Sequence, residues 1–138
     1  MKRYRTMTDG IRQRISRKKC DVFLRSDFED FGGYDQVGRC LRNLIKEGTL
    51  IKIGYGLYAR TRISALSGET VPTKPLPELA REALARLNVL VVLTKAEIDY
   101  RDDISTQVPT GRRIGVRGRI SRKIYVSNAE IVYERVPL

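Results

Sequence analysis

Between Tyr34 and Glu47 the apolar side chains return at Val37, Leu41, Leu44 and Ile45. At about 100° per residue these positions form one stripe, which predicts a helix over residues 34–47 with a single buried face. Gly48 follows as a C-cap, free to adopt positive φ, and Lys46 stands in the last turn, where the macrodipole favours a cation. Leu50-Ile51-Lys52-Ile53, Gly54-Tyr55-Gly56 and Leu57-Tyr58-Ala59-Arg60 come next. Two short runs around a glycine-flanked turn predict a β-hairpin.

The residues before this segment fit it. A helix is expected over residues 11–18, N-capped by Thr8 or Asp9, with Ile11 and Ile15 on one face. Val22-Phe23-Leu24 reads as a brief strand. Ser26 followed three residues later by Glu29 is a capping-box pattern, opening a short helix that stops at Gly32-Gly33. Helix, strand, helix, turn, helix, hairpin is the order of a winged helix-turn-helix, assigned to residues 8–62. Residues 63–76, with Pro72, Pro75, Ser64, Ser67 and Gly68, read as a linker. Residues 77–138 read as a C-terminal α/β module. It comprises a helix over 78–87 with Pro77 at its first position, a buried strand at 89–93, and a helix capped by Thr94 and Glu97 that ends near Asp103. Strands are then expected at 106–108, 112–116, 123–126 and 131–133. The fold class is α+β, a winged helix-turn-helix followed by a small α/β module with antiparallel strands.

Charge points to the class of partner. The 138 residues carry 27 Lys and Arg against 16 Asp and Glu, a net of +11. Residues 1–64 hold 15 basic and 7 acidic residues, residues 77–107 hold 4 and 6, and residues 108–138 hold 7 and 2. Two basic segments around an acidic one suggest localised basic surfaces suited to a polyanion, DNA or RNA above all; a merely soluble basic protein is the plain alternative. No apolar run reaches the roughly 20 residues of a bilayer span, and the basic N-terminus has no apolar stretch behind it as a secretory signal would. Cys20 and Cys40 have no CxxC partner and the chain has no histidine, which excludes Cys/His zinc sites. Two reduced thiols in a cytoplasmic protein is the expectation.

The face of the 34–47 helix opposite its stripe carries Gln36, Arg39, Arg42, Asn43 and Lys46, with Asp35 at its edge. Arg pairs bidentately with guanine and Asn or Gln with adenine, and recognition helices read bases with their N-terminal residues. Tyr34, Gln36 and Arg39 are therefore the candidate readers, and Arg42, Asn43 and Lys46 the candidate phosphate contacts. In the hairpin, Lys52, Tyr55 and Arg60 are candidates for groove or backbone contact, Tyr55 as the tip and Tyr58 as core. A second basic surface is expected from Arg112, Arg113, Arg117, Arg119, Arg122 and Lys123. It reads either as a ribbon for RNA, DNA or an acidic protein, or as a strand edge protected by charge.

Catalytic constellations are missing from the sequence. There is no His for a general base or triad, and neither GxGxxG nor GxxxxGK[ST] occurs. Glu97, Asp99, Asp102 and Asp103 could be taken for a Mg²⁺ cluster, but helix spacing makes them a capped, solvated face. No enzymatic activity, cofactor or metal is expected.

Residues 32–58, GGYDQVGRCLRNLIKEGTLIKIGYGLY, resemble the winged-helix domain of bacterial AbiEi-like antitoxins, whose LxxLxxxG run and GxxxY hairpin are met here by Leu41, Leu44, Gly48, Gly54 and Tyr58. Ser105-Thr106-Gln107-Val108-Pro109 before a basic β-tail is similar to related short bacterial proteins, which have a small glycine-containing turn where this chain has Asp102-Asp103. The resemblance implies a DNA-binding repressor of its own toxin–antitoxin operon, with its promoter duplex as partner and a nucleotidyltransferase-type toxin as the protein it counteracts. The alternative is an RNA- or ribosome-binding protein using the C-terminal arginines.

Overall fold

The computed structural model describes residues 6–104 and 112–137. The chain is α+β and divides into two units, Met1–Lys74 and Pro75–Leu138. The strand expected at 106–108 and the motif at 105–109 lie outside the described residues.

The first unit opens with α1, Met7–Arg17. Its N-cap is Thr6, whose hydroxyl accepts from the Asp9 N–H at 3.1 Å, so the helix begins earlier than the Thr8 or Asp9 cap expected. Three residues make β1, Val22–Leu24. The segment expected to start a helix at Ser26 is a 3-10 helix, Arg25–Phe31. Its N-cap is Leu24, whose N–H donates to the Asp27 carboxylate at 2.9 Å; the cap therefore lies two residues before the Ser26 expected, and Asp27, not Glu29, makes the reciprocal contact.

Helix α2, Tyr34–Lys46, buries Val37, Cys40, Leu41 and Leu44. They pack with Ile11, Ile15, Phe23, Phe28, Leu50 and Tyr58 in one core. Gly48 takes φ 84°, and the Thr49 N–H returns to the Leu44 carbonyl at 2.9 Å, which closes the helix. The hairpin follows as β2, Leu50–Gly54, and β3, Leu57–Ile63, antiparallel with an irregularity between Lys52 and Gly54. β3 also pairs with β1, which gives the order β1-β3-β2.

Part of the expected linker is structured. Thr70–Pro72 forms β4, antiparallel to residues 61–63 of β3. Pro72 is compatible because β4 is bonded to β3 alone, and an edge strand tolerates a missing donor.

In the second unit α3 spans Leu76–Arg86, with Pro75 as N-cap and Pro77 inside the first turn, so the helix starts one proline earlier than predicted. β5, Leu90–Val92, is half-exposed rather than buried, with Leu90 57% exposed. α4, Lys95–Arg101, is capped as the sequence expects: Thr94 Oγ1 accepts from the Glu97 N–H at 3.1 Å, and Glu97 accepts from the Thr94 N–H at 3.0 Å. β6, Arg113–Arg117, is central in a three-stranded sheet, antiparallel to β5 but parallel to β9, Val132–Arg135. The small hairpin β7, Tyr125–Val126, and β8, Ala129–Glu130, supplies the crossover that a parallel pair requires. The antiparallel strands expected here are present in the β5–β6 and β7–β8 pairs, and the β6–β9 pair departs from that expectation.

Candidate nucleic-acid interface

The basic side chains of the first unit divide into those spent on the fold and those left over. Arg12 grips Glu47 with Nη2 and Nε, at 2.7 and 3.1 Å, and Asp9 with Nη1 at 2.6 Å. This fastens α1 to the end of α2. The Arg12 guanidinium holds the Glu47 carboxyl below its ordinary value, against slight burial and with help from the Thr49 hydroxyl. Arg14 pairs with Asp30, donates to the Asp27 carbonyl at 3.0 Å and lies 4.3 Å above the Phe31 ring.

Arg60, expected to face a groove or backbone, is committed elsewhere. Its Nη2 donates to the carbonyls of Ile15, Lys18 and Cys20, at 2.8 Å for Ile15 and 3.1 Å for Cys20. Its guanidinium lies 5.4 Å from the Phe23 ring centre, with Nε 3.8 Å from Asp21. The end of α1 leaves carbonyls without intrahelical donors, and Arg60 supplies one. It is a structural residue.

Arg39, Arg42, Asn43 and Lys46 are exposed on α2. Among the described residues none of their side chains makes a hydrogen bond or an ion pair. They face away from the core stripe because α2 buries one side only. Tyr34 and Gln36 stand in the first turn of the same helix. Gln36 is part-committed: its Oε1 accepts from the Gly33 N–H at 3.1 Å, an end-capping role that leaves its amide N–H₂ available.

The hairpin turn is tied to the start of α2 by one contact and to the start of the 3-10 helix by another. The Tyr34 and Tyr55 hydroxyls lie 3.1 Å apart, and the Arg25 N–H donates to the Gly56 carbonyl at 3.2 Å. Tyr34 is 62% and Tyr55 70% exposed, while Tyr58 is buried in the core. The hydrogen bond with Tyr55, more than burial, raises the Tyr34 phenol above its ordinary value. Lys52 is exposed on β2. Arg25, which no sequence motif singles out, lies 4.1 Å above the Tyr34 ring. An arginine just after a short apolar run is the available signal, but nothing in its spacing points at Tyr34.

The C-terminal basic residues do not form a ribbon of strands. Only Arg113 and Arg117 lie in β6, at its exposed ends, and Arg113 pairs with Glu134 at 3.5 Å. Arg112 is exposed just before β6. Arg119, Arg122 and Lys123 lie outside any strand, and the Arg122 carbonyl accepts from the Tyr133 hydroxyl at 2.6 Å. In the acidic cluster Glu97 is a cap, and Asp102 pairs with Arg101 at 3.1 Å. Among the described residues no group of His, Cys, Asp or Glu has the geometry to hold a metal, and both cysteines are free thiols. No helix there is long and apolar enough to cross a membrane.

A family model described as a family of unknown function (DUF6088) matches residues 10–137. The chain belongs to the DUF6088 family. No curated protein and no solved structure matches this DUF6088 chain. The DUF6088 match takes in described parts of both units, including α2, the hairpin turn and β6.

Proposed function

We propose that this DUF6088 protein binds duplex DNA as a winged helix-turn-helix and acts as a transcriptional regulator of antitoxin type, repressing its own operon. The observation that carries the reading is the set of uncommitted side chains on α2. Arg39, Arg42, Asn43 and Lys46 share one exposed face, while Arg12, Arg14 and Arg60 are consumed by internal contacts. A recognition helix enters the major groove with such a face, and the Tyr34–Tyr55 contact holds the hairpin turn alongside it. The antitoxin part rests on the resemblance of residues 32–58 to the winged-helix domain of AbiEi-like antitoxins, with residues 105–109 similar to a related group of short bacterial proteins. A nucleotidyltransferase-type toxin is the protein partner that follows from it.

The test is titration of the chain with the duplex upstream of its own coding sequence, an unrelated duplex and a structured RNA. Preference for its own duplex is the expected result; preference for RNA rejects the reading. Arg39→Ala is expected to cost about 1–3 kcal/mol on the specific site and to relax selectivity at one position. Lys46→Ala weakens all duplexes alike and flattens the log–log salt dependence by about one unit.

A further inference from the structure

Gly38 stands in the middle of α2 and is buried. Glycine is a poor choice for a helix interior, so its neighbours are informative. They are cationic. A Cβ at Gly38 would lie 3.2 and 3.4 Å from Nη1 and Nη2 of Arg25, and 3.4 Å from Nη1 of Arg42. Two guanidiniums, one from the 3-10 helix and one from α2, thus meet over a single bare patch of backbone. Like charges so close repel, yet among the described residues neither is paired with a carboxylate. Partial burial works against the Arg25 charge, but the Tyr58 hydroxyl, helped by the phenols of Tyr34 and Tyr55, raises its pKa above the ordinary value. Asp35, one turn before Gly38 on α2, is exposed and makes no ion pair among the described residues.

Arg25 is also held in place. Its guanidinium stacks 4.1 Å above the Tyr34 ring, and Tyr34 is hydrogen-bonded to Tyr55 at the hairpin turn. Stacking leaves the edge of a guanidinium free to donate. We propose that Arg25 and Arg42 form a seat for one phosphate group of a nucleic-acid backbone, made possible by the missing side chain at Gly38. Forked donors on two elements match the oxygens of a phosphate, and the phosphate removes the repulsion between them. Because Arg25 belongs to the 3-10 helix and not to α2, the seat fixes where the backbone crosses between helix and hairpin turn. This rests on the DNA-binding reading and names a contact within it.

The wild type, Arg25→Gln, Arg42→Gln, the double variant and Gly38→Ala are titrated with a short mixed-sequence DNA duplex at several salt concentrations. Thermal melts are the folding control. Arg42→Gln removes no internal hydrogen bond and is expected to weaken duplex binding about five- to tenfold at low salt, flattening the salt slope by about one unit. Arg25→Gln does the same, and the double variant loses less than the product of the two, because both serve one phosphate. Gly38→Ala melts no lower than the wild type yet binds more weakly. Added to the double variant it changes nothing further. In parallel, the arginine Nε–Hε resonances of Arg25 and Arg42 are followed as inorganic phosphate is added, and both are expected to move. Duplex binding by the wild type that is unchanged in Arg42→Gln and Gly38→Ala overturns the seat and leaves the DNA reading standing. No duplex binding by the wild type overturns both; resonances that still move with inorganic phosphate would then reassign the pair to a free anion.

Discussion

The Asp21 carboxylate accepts from the Thr73 hydroxyl at 2.8 Å and lies 2.9 Å from the Lys74 ammonium. It thereby ties the residue before β1 to the chain just beyond β4. Partial burial works to raise the Asp21 pKa, but Lys74, the Thr73 hydroxyl and Arg60 together bring it below the ordinary value. A carboxyl depressed in the folded state contributes stability that is complete above its unfolded value of about 3.9. That stability is lost as pH falls through the folded value. Asp21→Ala is expected to cost about 1–2 kcal/mol at neutral pH, with the gap to the wild type closing in acid below the depressed value. Urea unfolding across pH checks this; a gap that persists undiminished in strong acid would mean that the side chain acts through packing and not through charge. At this scale the sequence was only partly legible. Residue types located the α2 face, because a helix with one apolar stripe turns everything else outward. They did not reveal which arginines were already engaged. Arg60 has the same charge as Arg42, and only the carbonyls of Ile15, Lys18 and Cys20 around it decide that it is internal.

Three helices end in one way. Gly48, Asn88 and Asp103 have φ of 84°, 62° and 59°, and the next N–H in each case returns to the helix: Thr49 to Leu44, Val89 to Leu84 and Ile104 to Asp99. Glycine meets that demand without strain, whereas aspartate at Asp103 adopts a left-handed conformation unfavourable for most side chains. Asp103→Gly is expected to raise stability by about 0.5–1 kcal/mol; a lower melting temperature would reject the strain argument. Gly115 in β6 behaves in the opposite sense. A Cβ there would come 2.5 Å from the Val92 carbonyl oxygen and 3.1 Å from the Leu93 carbonyl carbon, backbone atoms that cannot step aside. Gly115→Ala should cost about 1–3 kcal/mol, and an unchanged melt would show that β5 and β6 can part without penalty. The elements that were legible are those whose signals are local: the α2 stripe, the Gly48 stop, the Thr94 cap and the hairpin after Gly48. β4 was hidden because its proline and its low hydrophobicity mark a linker equally well. The parallel pairing of β6 with β9 was hidden because strand direction is set by the crossover between them, and residue alternation is the same in either direction.

At the scale of the molecule the net charge of +11 is ambiguous, since any polyanion is drawn to a cation. Location turns the ambiguity into a test. Arg39, Arg42 and Lys46 lie on one face of α2 in the first unit, whereas Arg117, Arg119 and Lys123 are exposed in the second. Replacing either triplet by glutamine lowers the net charge by the same amount. A protein that attracts DNA through charge alone would respond equally to both changes. If α2 is the reading surface, the first triplet is expected to flatten the log–log salt dependence by about two units, near 0.9 for each of the phosphates that Arg42 and Lys46 no longer neutralise, and to lose sequence preference through Arg39. The second triplet should change it by less than about one unit, the remainder of a long-range attraction that screening at physiological salt largely removes. Neither change touches the core, because all six side chains are exposed, so melting temperatures serve as the control on folding. Titrations with promoter duplex and with structured RNA, each at several salt concentrations, separate the outcomes. A larger loss from the second triplet on RNA would transfer the function to the C-terminal unit. Equal losses on every probe would reduce the basic surface to a general polyanion attractor and remove the argument for recognition by α2.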